Sequence, residues 1–145
     1  LKWGINQIRG GYVALYFLRE KASEPEYAVA GVQRHIELFG LAPKDFGYDR
    51  GGWSADHLHE IKELGVQNIA VAPKGKALWR VSEKIKDRMV RERAQVEGKI
   101  GTLKMYGFNK PLEREETGMK RAAFRTVIKF NLKKLIRDLI SQNKK

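Results

Sequence analysis

Short apolar runs alternate with amphipathic stretches along this chain. Residues 11–20 (GYVALYFLRE) form an aromatic-rich apolar run that ends in charge, the pattern of a strand. Ser23 and Pro25 mark a helix start, and Val29, Val32, Ile36 and Phe39 then recur at helical spacing until Gly40 stops them. A short strand is predicted at 46–48, followed by a Gly51-Gly52 turn. Ser54 suits an N-cap for a helix carrying Leu58, Ile61 and Leu64, closed by Gly65. Residues 66–73 (VQNIAVAP) read as a buried strand ended by proline. Ser82 opens a long helix whose apolar stripe is Ile85, Met89, Val96, Ile100 and Leu103. Residues 107–121 read as a charged loop. A last helix over 122–141 is expected to bury Phe124, Val127, Ile128, Leu132, Leu135, Ile136 and Leu139.

This alternation predicts an α/β architecture with parallel strands joined right-handedly. No internal repeat, low-complexity segment or boundary interrupts it, so residues 1–145 read as one domain. The opening residues, LKWGINQIRGG, read like the interior of a protein, and natural sequence is expected upstream of Leu1.

Charge narrows the function classes. Lys and Arg number 29 against 17 Asp and Glu, a net charge of +12, which favours a polyanionic partner, nucleic acid first among them. No long apolar span or lipidation signal points to a membrane. The absence of cysteine excludes disulfides and thiolate metal sites and fits a reducing cytoplasm.

Two acidic positions stand out. Asp49 follows a predicted strand in YDRGGWS, and ligands of open α/β sheets gather beyond the carboxyl ends of strands. Taken alone, an aspartate beside Gly-Gly is a turn residue. On the long helix Arg93, Glu97 and Lys104 are four and seven apart, which aligns them in one polar stripe beside Val96, Ile100 and Leu103. A surface ion pair explains that stripe equally. Gly98 and Gly101 each cost on the order of 1 kcal/mol against alanine in a helix. Their presence predicts close approach to another backbone or to a ligand.

GYDRGGWS, ELGVQNIAVAPKG and RAQVEGKIGTLK, in this order and with a trailing helix, resemble the catalytic core of bacterial insertion-sequence transposases of the DDE type. The resemblance covers roughly residues 11–140. It implies a ribonuclease-H-like mixed sheet flanked by helices, with the first strand or strands upstream. It also implies two aspartates and a glutamate holding two divalent cations, Mg²⁺ or Mn²⁺, for DNA cleavage and strand transfer. Asp49 matches the family's second aspartate and Glu97 its helix-borne glutamate, both catalytic and metal-binding. One branch carries Tyr-x2-Arg-x3-Glu-x6-Lys. Arg93, Glu97 and Lys104 fill its last three places, whereas Val90 stands at the tyrosine. No aspartate precedes Asp45, which lies too close to Asp49 to serve, so the first catalytic aspartate is expected before Leu1.

The expected partner is DNA, both element ends and target. Arg93 and Lys104 are expected on phosphates, with Lys74, Lys76 and Arg80 as a backbone-tracking loop and Trp53 stacking on a base. A solvated loop and a core-covering tryptophan are the plain alternatives. His57 and His59, two apart on a helix, point in opposite directions and read as surface histidines. Arg125, Lys129, Lys133, Lys134 and Arg137 make the last helix basic, suited to DNA or to a second subunit in a homodimer. A bacterial, nucleoid-associated location follows from the resemblance. The competing class is a non-catalytic basic nucleic-acid-binding domain, either an inactive remnant or unrelated.

Overall fold

The computed structural model describes residues 2–108 and 112–144. The fold is mixed α/β, with four strands and four α-helices among the described residues: β1 Lys2–Gln7, β2 Val13–Leu18, α1 Glu24–Phe39, β3 Asp45–Tyr48, α2 Ala55–Glu63, β4 Asn68–Val71, α3 Glu83–Met105 and α4 Glu116–Gln142. Short 3-10 turns lie at Arg9–Gly11 and Arg50–Gly52. No described helix is long and apolar enough to cross a membrane. The chain packs as two compact units, one made of the residues up to Gly4 with Tyr16–Glu97, the other of Ile5–Leu15 with the residues from Gly98 onward.

The first unit follows the predicted alternation closely. Ser23 and Glu26 form a capping box: the Glu26 carboxylate accepts the Ser23 backbone N–H and hydroxyl, each at 2.7 Å, and also takes Arg19. Pro25 is harmless within the first turn, where the N–H it lacks has no helical partner. Gly40 ends α1 in the left-handed region at φ 75°, returning its N–H to the Ile36 carbonyl at 2.7 Å. Ala28, Val29 and Val32 of α1 pack with Leu58 and Ile61 of α2, Val66 and Val71. Ile61 and Val32 are fully buried, each worth about 1.5–3 kcal/mol of removed apolar surface.

β3 and β4 pair in parallel, Asp45 opposite Asn68 and Tyr48 opposite Val71, with α2 as the crossover. The ladder is pinned at its start. The Asp45 carboxylate accepts the Asn68 amide at 2.6 Å and the Arg88 guanidinium at 2.5 Å. Burial raises the Asp45 pKa, but those two donors and nearby cations outweigh it and leave the group below its ordinary value. Arg88 belongs to α3, and the next residue, Met89, lies over β3 at Gly47: a Cβ there would stand 2.7 Å from Met89 Cε. Glycine at 47 gives the Met89 side chain room over the strand.

In the second unit the edge of β2 is closed by a side chain. Asn131 of α4 accepts the Val13 N–H at 3.0 Å and donates to the Val13 carbonyl at 2.8 Å, as a neighbouring strand would. α3 ends in a Schellman motif: Phe108 N–H reaches the Leu103 carbonyl and Gly107 N–H the Lys104 carbonyl, both at 3.0 Å, with Gly107 at φ 89°. Leu103 and Phe108 are both buried, the apolar contact such caps favour.

Four expectations need correction. The described strands form a β1–β2 pair and a β3–β4 pair rather than one mixed sheet, because β2 finds its ladder partner in residues 2–7, which hydrophobic periodicity leaves unassigned. α4 starts six residues earlier than predicted, at Glu116. The Lys120–Glu116 pair at 2.6 Å and the Arg125–Glu113 pair hold its first turns together. Its packed side is Ala123, Thr126, Val127 and Phe130, whereas Phe124, Ile128, Leu132, Leu135, Ile136 and Leu139 are 40–55% exposed. α4 is apolar on two opposite sides, and the side with small residues is the one that packs. Finally, Gly98 and Gly101 meet no close neighbour: a Cβ on either would stand in open space.

Candidate functional site

Asp49 leaves the carboxyl end of β3 and caps the Arg50–Gly52 turn, its Oδ1 accepting the Gly51 N–H at 2.8 Å. The two glycines leave room here for neighbouring side chains. A side chain on Gly52 would run into the Tyr48 ring, and one on Gly51 would run into the Glu24 carboxylate while standing 3.0 Å from Asp49 Oδ1. Glu24 and Asp49 therefore converge over Gly51. Both carboxylates act on Tyr48, whose pKa rises through burial first and then through the negative charges of Asp49 and Glu24. Asp49 itself is exposed.

Glu24 is the residue that periodicity missed. It opens α1, where an acid is favoured by the helix dipole, and that preference hid its position beside Asp49. Only the packing of α1 against the Arg50–Gly52 turn brings the two acids together.

α3 carries Arg93 and Glu97 in the first unit, both exposed, and Lys104 in the second, also exposed. The crossing at Gly47 orders these positions. Glu97 lies eight residues beyond Met89, about 12 Å along the helix. Asp49 lies two residues beyond Gly47, about 7 Å along the strand. Among the described residues no three His, Cys, Asp or Glu side chains gather as a metal-holding group.

The chain matches no known family, curated protein or solved structure. The site must be read from its own residues.

Lys74, Lys76 and Arg80 lie on the exposed loop between β4 and α3. Trp79 on the same loop is half-buried, with Lys86 Nζ 5.4 Å from its ring. Trp53 is half-buried and packs against the apolar core of the first unit, which ties it to the fold. His57 Nδ1 lies 3.0 Å from Ser54 Oγ, which takes the Ser54 hydroxyl away from capping α2, while His59 is exposed. Of the basic residues on α4, Lys129 and Lys133 stand 4.6 and 5.1 Å from the Tyr106 ring, and Arg125 is paired with Glu113.

Proposed function

We propose that this chain is part of a DDE-type transposase catalytic region of ribonuclease-H-like fold, acting on DNA by metal-dependent phosphodiester cleavage and strand transfer. The observation that carries the reading is the position of Asp49. It stands at the carboxyl end of a parallel strand pair, capping a two-glycine turn, with Met89 of α3 lying over the same strand at Gly47. The order of the sequence motifs supports the same assignment.

The donor set suits a hard cation. Asp49 and Glu97 offer carboxylate oxygen, the chain has no thiolate, and the Gly51 N–H uses one Asp49 oxygen while leaving the other open. Asp49 and Glu97 would hold Mg²⁺ or Mn²⁺. A bound pair of such ions activates an attacking hydroxyl and stabilises the leaving oxygen. The chain's own cations do the rest. Arg93 neutralises DNA phosphate near the reacting bond, and Lys74 and Lys76 follow the backbone, so affinity falls steeply with salt. A homodimer assembled on two element ends fits this chemistry.

The test replaces Mg²⁺ by Fe²⁺ and generates hydroxyl radicals at the bound metal in the presence of DNA. The reading expects backbone cuts near both Asp49 and Glu97, lost together in Asp49→Asn. Cuts at one acid only, or cuts indifferent to that substitution, refute the shared site.

One observation favours a second reading, a basic nucleic-acid-binding domain without catalysis. The Asp49 carboxylate already serves as a turn cap. In that case Asp49→Ala, which removes the cap, weakens the fold and leaves DNA binding unchanged, and no metal-directed cuts appear.

A further inference from the structure

In the second unit, side chains from two helices meet at the hairpin turn. Gly10 and Gly11 sit at φ 79° and 81°, a conformation that side-chain-bearing residues rarely adopt. The space left at Gly11 is occupied by lysines. A Cβ there would stand 3.2 Å from Lys134 Cε, 3.8 Å from Lys134 Nζ and 3.7 Å from Lys99 Cε. Lys99 arrives from α3 and Lys134 from α4.

The two charges are offset unequally. Lys134 Nζ donates to both Asp138 oxygens at 3.1 and 3.2 Å and lies 5.1 Å from the Tyr12 ring. Tyr12 donates its hydroxyl to the same Asp138 carboxylate at 2.9 Å. Lys99 Nζ donates to the neutral Gln7 Oε1 at 2.6 Å. Two lysine side chains thus lie against one turn, with a single carboxylate, Asp138, bonded to one of them. Like charges held so close repel until an anion joins them.

We propose that Lys99 and Lys134 together bind one phosphate group of a nucleic-acid backbone at the Gly10–Gly11 turn. The missing side chain at Gly11 is what lets both lysines lie against one turn, and a single phosphate can then bridge their two ammoniums. A polyanion is favoured over free phosphate. Asp138 repels a small isolated anion, whereas a backbone brings further phosphates to Arg9, exposed on the same turn, and to the rest of a chain of net charge +12. The site rests on DNA being the partner, but it needs neither Asp49, Glu97 nor a divalent metal.

The test measures binding of a fluorescent short duplex by anisotropy, in EDTA, across a salt series. Each neutralised phosphate contributes about 0.9 to the slope of log K against log salt. Lys99→Gln with Lys134→Gln should lower that slope by about 0.9, the loss of one shared phosphate. Lys99→Gln alone, which keeps a donor for Gln7, should lower affinity several-fold at an unchanged melting temperature. An unaltered slope in the double variant overturns the site, and a fall of about 1.8 overturns the shared phosphate in favour of two separate ones. A Lys99 side-chain resonance that shifts with inorganic phosphate but not with duplex overturns the nucleic-acid assignment. Wild-type protein without salt-dependent duplex binding refutes the DNA reading itself, a result distinct from all of these.

Discussion

Replacing Gly98 and Gly101 with alanine should stabilise the folded chain. Both lie inside α3, neither has a positive φ, and a Cβ on either meets nothing within 4 Å. Alanine removes the backbone freedom that glycine loses on folding, about 1 kcal/mol at each position, so the double variant gains about 2 kcal/mol. For a chain of this length the gain corresponds to a melting temperature about 5–8 °C higher. Urea unfolding followed by circular dichroism measures it directly, as a shifted midpoint at constant slope. No gain, or a loss, would mean that something packs against this face in the folded protein, and the reasoning from open space would be wrong. The same variant also examines why glycine stands here. If DNA or another chain approaches the helix at these positions, duplex binding weakens while stability rises. Stability and binding moving in opposite directions would mark the glycines as a contact surface. A gain in stability with unchanged binding would leave them without a function.

Three further outcomes follow from the packing. Asn131→Ala strips β2 of the amide that pairs with both backbone groups of Val13, and should cost about 2 kcal/mol in urea unfolding, the penalty of leaving partly buried polar groups unpaired. Leu103→Ala empties a fully buried position and should cost about 2–5 kcal/mol, whereas Leu135→Ala on the exposed side of α4 should cost well under half of that; equal costs would contradict the assigned faces. Glu26, held to about 2 by the Ser23 backbone N–H first and then by Arg19 and the Ser23 hydroxyl, has a depressed folded pKa. Its contribution is therefore complete above the unfolded carboxylate value near 4.3 and fades as pH falls toward 2. Glu26→Gln should flatten the acid limb of the urea midpoint between those values, and an unchanged limb would assign the acid sensitivity elsewhere.

The elements of the first unit were legible because their signals are local. Ser23, Gly40 and Gly65 punctuate helices whose apolar spacing leaves one choice of buried face, and residues 66–73 are too short for a helix, though only Asn68–Val71 of them form the strand and its second half is the buried part. Signals failed where the decision lies outside the segment. Residues 2–7 alternate weakly and become a strand only by pairing with β2. In α4 two apolar sides compete, and Phe124 and Leu132 carry more hydrophobic weight than Ala123 or Thr126. The side that packs carries Val127 and Phe130 beside the small Ala123 and Thr126, and hydropathy alone does not favour it over the more apolar opposite side. The candidate site divided in the same way. Asp49 was visible from its strand end and its glycines. Glu24 was not, because its partner is 25 residues away in sequence. Lys99 and Lys134 were equally hidden, since their meeting point is a turn on a third element.

The outer side of α4 bears on how the protein behaves in a tube. Seven large apolar side chains, Phe124, Ile128, Leu132, Leu135, Ile136, Leu139 and Ile140, are each 40–55% exposed on a chain of net charge +12. At low ionic strength the charge keeps molecules apart. Salt shortens the reach of that repulsion from ~10 Å at 0.1 M to ~3 Å at 1 M, and salting-out anions strengthen apolar attraction at the same time. High salt is also what strips a basic protein from nucleic acid. A buffer that strips a polyanion from a basic chain is therefore one that also favours contact between these apolar sides, and an acidic resin, which displaces a polyanion without raising the salt, is expected to keep the protein better dispersed.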